Sequence, residues 1–132
     1  MIQEREDLIR YRIKKALDTL EDARILADAG RWTPCVNRLY YACFYAVSAL
    51  LIKDNKSSRK HTGVRSLFNR YYVQTGMAPK RLAVIFNDLF EKRREGDYMD
   101  FVFFSEEDVK PLLHHAESFV THIKNLLEKD AL

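Results

Sequence analysis

Residues 36–52 read VNRLYYACFYAVSALLI, and the fold turns on how this stretch is interpreted. From Leu39 to Ile52 fourteen consecutive residues carry no formal charge; three are Tyr, one is Phe and three are Ala. On a helix, Leu39, Cys43, Val47 and Leu50 point one way while Phe44, Ala46 and Leu51 point elsewhere, so apolar surface covers almost the whole circumference. Fourteen residues fall short of the about twenty that a bilayer crossing needs. Other helices must therefore wrap the segment, with no membrane involved. At its polar mouth Asn37-Arg38 lies one turn before Tyr41 and close to two turns before Tyr45, setting an amide and a permanent cation beside phenols.

The flanks supply the wrapping. Upstream, Ile9, Ile13, Ala16/Leu17, Leu20, Ala23 and Ala27 recur at helical steps, which predicts a helix from about Glu4 to Ala29 that Gly30 ends. Trp32 reads as a plug at the corner, Thr33 as the N-cap of the central helix and Pro34 as its first helical residue. Downstream, residues 54–60 form a polar loop, and Val64, Leu67/Phe68 and Tyr71 mark a third helix over 62–73. Ala78-Pro79 opens a fourth helix carrying Leu82, Ile85/Phe86, Leu89 and Phe90, which Gly96 interrupts. The aromatic run 98–104 has no second strand to pair with and reads as a connector over the helix ends. Ser105 and Asp108 form a capping box before a last helix striped by Val109, Leu112/Leu113, Ala116, Phe119/Val120, Ile123 and Leu126/Leu127. The expectation is one all-α domain over 1–132, a five-helix antiparallel bundle.

Composition agrees with that class: 47% hydrophobic and 31% charged residues over 132 positions, with only four Gly and three Pro, exclude a disordered or all-β chain. Cys35 and Cys43 sit two turns apart on one helix, too far for a bridge, and read as reduced core thiols. The polar, acidic start MIQERED has no apolar run behind it, so the cytoplasm is the expected compartment. The net charge of +3 is unevenly spread: residues 53–72 carry a net +5 and residues 99–132 a net −4. The basic block suits RNA, an acidic partner or plain solvent.

No phosphate-binding Gly loop, zinc spacing or nucleophile elbow is present. His61, His114, His115 and His122 make no ligand set, and the pairs Asp18/Asp22 and Asp97/Asp100 are ordinary surface spacings, so no metal or cofactor is expected. The segment Arg93-Arg94-Glu95-Gly96-Asp97-Tyr98 is the chemical candidate, because it brings two guanidiniums to a carboxylate and a phenol at a helix end. Three readings fit it: a tie between helix end and connector, a site that binds or cleaves RNA, and a partner-docking surface.

Taken together, residues 37–46 (NRLYYACFYA), His61-Thr62-Gly63-Val64, and Arg93 through Asp97-Tyr98 resemble the HEPN (higher eukaryotes and prokaryotes nucleotide-binding) domain family. The nearest likeness is to its small stand-alone branch, with a central R-x-Y-Y-A-x-F-x-A run and a late R-x3-D-Y, and it extends over roughly residues 5–128. The resemblance implies an all-α bundle forming a two-fold homodimer, encoded beside a minimal nucleotidyltransferase as the toxin half of a toxin–antitoxin pair. Many members are metal-independent ribonucleases with an R-x4–6-H motif across the dimer cleft.

Here this chain departs from the pattern. The windows after Arg93 reach Tyr98, Met99 and Asp100, and those after Arg94 reach Met99, Asp100 and Phe101. The arginine is present and the imidazole is not; Tyr exchanges protons far from neutrality, and Arg cannot act as a base. His61 would supply an imidazole only if its loop folds back. The first expectation is therefore a binding partner of a minimal nucleotidyltransferase, possessing an RNA- or nucleotide-binding surface. The alternatives are a metal-independent ribonuclease and a purely structural dimeric scaffold. For action on RNA, the resemblance singles out Arg93 as phosphate clamp, with Arg94 as its backup. Asp97 then orients an arginine, Tyr98 donates to phosphate or ribose, and Asn37 and Arg38 position the backbone.

Overall fold

A computed structural model describes residues 2–130, and among them every regular element is helical. α1 spans Ile2–Asp28, α2 Trp32–Lys53, α3 His61–Phe68, α4 Lys80–Tyr98 and α5 Glu106–Asp130. α3 runs directly into a π-helical turn, Asn69–Val73. The five-helix expectation holds. α2 is the axis, packed by α1 along one flank and by α4, α5 and α3 around the rest.

The ends follow from local chemistry. Gly30, at φ +70°, closes α1: Arg31 N–H donates to the Leu26 carbonyl at 2.8 Å and Gly30 N–H to that of Ala27 at 3.0 Å. Asn55 does the same for α2 at φ +58°, with Lys56 N–H donating to the Leu51 carbonyl at 2.8 Å. The capping box is present, with Ser105 N–H donating to Asp108 Oδ2 at 2.9 Å and Asp108 N–H to Ser105 Oγ at 3.3 Å.

Two boundaries differ from the sequence reading. α2 begins at Trp32 without a side-chain cap, so Thr33 lies inside the helix; Pro34 remains in the first turn, where its missing N–H costs nothing. Gly96 does not interrupt α4, which continues to Tyr98. A Cβ at Gly96 would lie 2.9 Å from Phe104 Cε2 and 3.2 Å from Thr33 Cγ2, so this glycine permits a close approach and is not a helix break.

α2 supplies much of the core: Val36, Leu39, Tyr40, Cys43, Ala46, Val47 and Leu50 are buried against Leu20, Phe68, Phe86, Leu89, Phe119 and Ile123. Both cysteines are buried and unpaired. At 22 residues α2 is in fact long and apolar enough by composition to cross a membrane, so the length argument alone does not decide the matter; burial of its apolar faces in the bundle accounts for them. One stripe of α2 stays half-covered: Asn37, Arg38, Tyr41, Phe44, Tyr45 and Ser48. The connector is less packed than expected. Phe104 turns inward, but Met99, Phe101 and Phe103 are exposed, Phe101 at 91% and with a positive φ.

Candidate functional site

The half-covered stripe of α2 meets the C-terminal half of α4, where Phe90, Arg93 and Asp97 recur at steps of three and four and so share one face. Gly96 lets that face come close to the start of α2. Asn37 Nδ2 donates to Asp97 Oδ2 at 2.9 Å, and Asn37 Oδ1 accepts from Arg38 Nε and Nη2 at 3.0 and 2.8 Å. Arg93 Nη1 stands 3.8 Å from the same Asp97 oxygen. The structure thus brings together Asn37, Arg38, Arg93 and Asp97.

Arg93 is only 7% exposed. Its guanidinium carbon lies 4.8 Å from the Tyr40 ring centre, 5.6 Å from that of Tyr41, 5.7 Å from that of Phe90 and 6.0 Å from that of Tyr98. Among the described residues its buried Nε has no hydrogen-bond acceptor. Ring faces attract the charge but do not neutralise it. A permanent cation buried with one long ion pair and an idle N–H out of solvent's reach carries charge that its surroundings leave under-compensated.

The remaining sequence candidates separate. Tyr98 reaches the rim of the cluster with 75% of its surface exposed. Arg94 stands to the outer side: its Nη2 pairs with Glu91 at 2.6 Å, its guanidinium carbon lies 5.8 Å from the Phe90 ring centre and it is 58% exposed. Neighbouring helix positions diverge by about 100°, so Arg94 does not stand behind Arg93.

Three participants were not singled out in this role by the sequence, Tyr40, Phe90 and Arg65; a fourth, His61, was offered as an imidazole only if its loop folds back. Arg65 stacks its guanidinium 4.0 Å from the Phe90 ring centre and approaches Glu91 at 3.8 Å. His61, the first residue of α3, folds back onto α2. Its Nδ1 is 2.7 Å from Tyr40 Oη, and its ring stacks on Phe44 at 4.5 Å and 28°. Burial pushes the Tyr40 phenol above its ordinary 10.0, against a smaller opposing effect of Arg93. Burial, and after it the Arg93 charge, pull the His61 imidazole below its ordinary 6.5. The signals available in sequence were the position of Tyr40 one turn after Asn37 and the presence of His61 in the HTGV piece of the family likeness.

The loop is what delivers His61. Tyr72 Oη donates to Asp54 Oδ2 and lies 3.2 Å from the Leu50 carbonyl, pinning the loop's start. Ser58 Oγ accepts from Lys60 N–H at 3.2 Å, and Gly63 leaves room for that serine, whose Oγ a Cβ there would overlap.

No group of three or more His, Cys, Asp or Glu side chains among the described residues is arranged to hold a metal ion. The cluster itself presents an arginine with an idle donor, a phenol and an imidazole on an aromatic floor.

An all-α bundle with an arginine-centred cluster between its second and fourth helices is the class these features define. Residues 9–126 match the sequence profile of the HEPN domain family, and the chain belongs to that family. It is 43% identical to a "UPF0332 protein" of Thermotoga maritima over 96% of both chains. In Methanocaldococcus jannaschii it is similar to "Putative toxin MJ0605", 31% identical over 92% of this chain and 90% of that one. It is also similar there to "Putative toxin MJ0142", 30% identical over 87% and 78% respectively.

Proposed function

We propose that this chain is a toxin-like HEPN protein that binds RNA through Arg93 and cuts it without a metal ion. The observation that carries the reading is the burial of Arg93 with an Nε lacking any acceptor among the described residues. A phosphodiester at the surface would meet the field of this under-compensated guanidinium without reaching its enclosed Nε, and a preorganised guanidinium stabilises the charge that develops at phosphorus. Arg38 and Arg65, at the edges of the same aromatic floor, extend the positive surface. Two of the relatives carry the word toxin in their names, in keeping with a chain that harms its own cell unless restrained.

The restraining partner in this reading is a minimal nucleotidyltransferase, and the protein alone is a homodimer. The exposed apolar strip Met99, Phe101 and Phe103, continuous with Tyr98, favours assembly, since side chains of that size are seldom left in water together.

The deciding experiment is a time course on labelled RNA in EDTA, comparing wild type with Arg93→Ala, each checked for folding by circular dichroism. Wild type is expected to cut and the variant not to. No cleavage by wild type above background overturns the enzyme reading, and undiminished cleavage by the variant shows the site is elsewhere. Recovery of a nucleotidyltransferase on co-purification supports the partner. A well-behaved monomer of 15.6 kDa by light scattering at tens of micromolar refutes the homodimer.

A further inference from the structure

Cleavage through the ribose 2′-hydroxyl needs a group that exchanges a proton near neutrality. Around Arg93 the late motif offers only Tyr98, Met99 and Asp100 at the windows where an imidazole would stand. The fold puts an imidazole in the cluster by another route. His61 and Arg93 lie against the same Tyr40 ring, His61 with ring centres 5.7 Å apart and Arg93 with its guanidinium carbon at 4.8 Å.

His61 is also held as a proton-exchanging group would be. Its Nδ1 is fixed at 2.7 Å from the Tyr40 hydroxyl. Its ring is clamped by stacking on Phe44 and edge contact with Tyr41 at 5.7 Å. Its Nε2 has no partner among the described residues and is not sealed from the surface, because the residue is only half-buried. A tyrosine hydroxyl both donates and accepts, so the Tyr40–His61 bond survives whether the ring is neutral or charged.

We propose that His61 is the proton-exchanging residue of this site, with Tyr40 as its positioning residue. The inference rests on the ribonuclease reading above. In the step, Nδ1–H donates to Tyr40 Oη and Nε2 takes the proton of the ribose 2′-hydroxyl. The 2′-oxygen bonds to phosphorus while the bond from phosphorus to the 5′-oxygen breaks. Arg93 bears the charge on the non-bridging oxygens. The departing 5′-oxygen takes a proton from water and His61 returns its own to solvent, leaving a 2′,3′-cyclic phosphate and a 5′-hydroxyl. The groups facing the imidazole are Tyr40 and Tyr41 from α2 and Arg93 from α4, and burial first, then the Arg93 charge, favour its neutral, base-competent form.

The test measures cleavage and RNA binding together for wild type, His61→Asn and Tyr40→Phe in EDTA, with end-group analysis and wild-type kcat/KM across pH. His61→Asn is expected to lose about 10²–10⁴-fold in kcat, the usual span for general base catalysis, while its Kd for RNA changes by less than about threefold, small beside the tenfold that 1.4 kcal/mol represents. Tyr40→Phe is expected to shift the acidic limb of the pH profile, and that limb in wild type should coincide with the His61 titration followed by NMR. A merely structural histidine would move stability and binding but would leave no limb matching its own titration. Wild type that cuts, alongside a folded His61→Asn that cuts equally well, overturns His61 and leaves the Arg93 reading standing. If His61→Asn does not fold, a wild-type limb that fails to match the His61 titration overturns the proposal instead. Wild type that does not cut overturns both.

Discussion

Replacing Arg93 by Met and by Ala separates what its charge does from what its bulk does. The charge gives up attraction to the faces of Tyr40, Tyr41 and Phe90, worth about 0.5–2 kcal/mol for a largely desolvated cation. It also gives up an ion pair at 3.8 Å that Asp97 already shares with Asn37. Against this, methionine no longer buries an N–H without an acceptor, which relieves about 1–3 kcal/mol. The two sides nearly cancel, and an apolar replacement for a buried charge is often neutral or stabilising. Arg93→Met should therefore fall within about 1 kcal/mol of wild type in urea unfolding, with an unchanged m value. Arg93→Ala removes the stem as well and leaves a void among rings, which should cost about 2–4 kcal/mol. Both should lose RNA binding alike. If Arg93→Met is destabilised by more than about 2 kcal/mol, as a large cavity would be, the guanidinium is a structural tie between α4 and the connector, and the argument from its missing acceptor fails.

Other expectations follow from the same contacts. By NMR the His61 imidazole should titrate below 6.5 and move back up in Arg93→Met, which removes the second of its two depressing causes. Between that lowered value and 6.5 the unfolded chain binds more protons than the folded one, so His61's contribution to stability is complete above 6.5 and lost as pH falls through the window. Asn37→Ala releases Asp97 to close on Arg93; RNA affinity by fluorescence anisotropy should fall severalfold while urea stability shifts by no more than about 1 kcal/mol. Phe101→Ser with Phe103→Ser, at positions 91% and 83% exposed, should leave monomer stability within about 0.5 kcal/mol and shift light scattering to the monomer mass. Gly63→Ala, whose new Cβ would overlap Ser58, should loosen the loop and broaden the His61 resonances more than it lowers the melting temperature.

The fold was legible because helices announce themselves locally. The α5 stripe, the Ser105–Asp108 box and the Gly30 terminus each need only a few neighbouring residues to interpret, and each is found where the pattern puts it. Arg93 and Asp97 could be paired from their spacing on one helix, but their meeting with Asn37 was legible only through the family likeness, since residues 37 and 97 meet by tertiary packing. Gly96 was misjudged as a break because its role, room for Phe104 and Thr33, cannot be seen along the chain. Arg94 was grouped with Arg93 because adjacency in sequence hides the divergence of about 100° between neighbouring helix positions. His61 could be named from the sequence but not placed. Its placement depends on Tyr72 holding Leu50 and Asp54, and on Ser58 turning the chain at Lys60, and no periodicity encodes contacts across such a loop.

The incomplete pairing of Arg93 has an identifiable origin. Asp97 lies one turn along α4, the spacing at which a carboxylate and a guanidinium normally close into a short pair. It does not close here because Asn37 binds the same Oδ2 at 2.9 Å, and Asn37 is itself fixed by two donors of Arg38. The carboxylate is thus held toward α2, 3.8 Å from the cation it would otherwise quench. In the proposed reading this network leaves the Arg93 charge under-compensated while its partner is occupied. Such retained imbalance is costly in a core and gains meaning where a ligand completes it. The residues that restrain Asp97 are therefore as much a part of the site as the arginine.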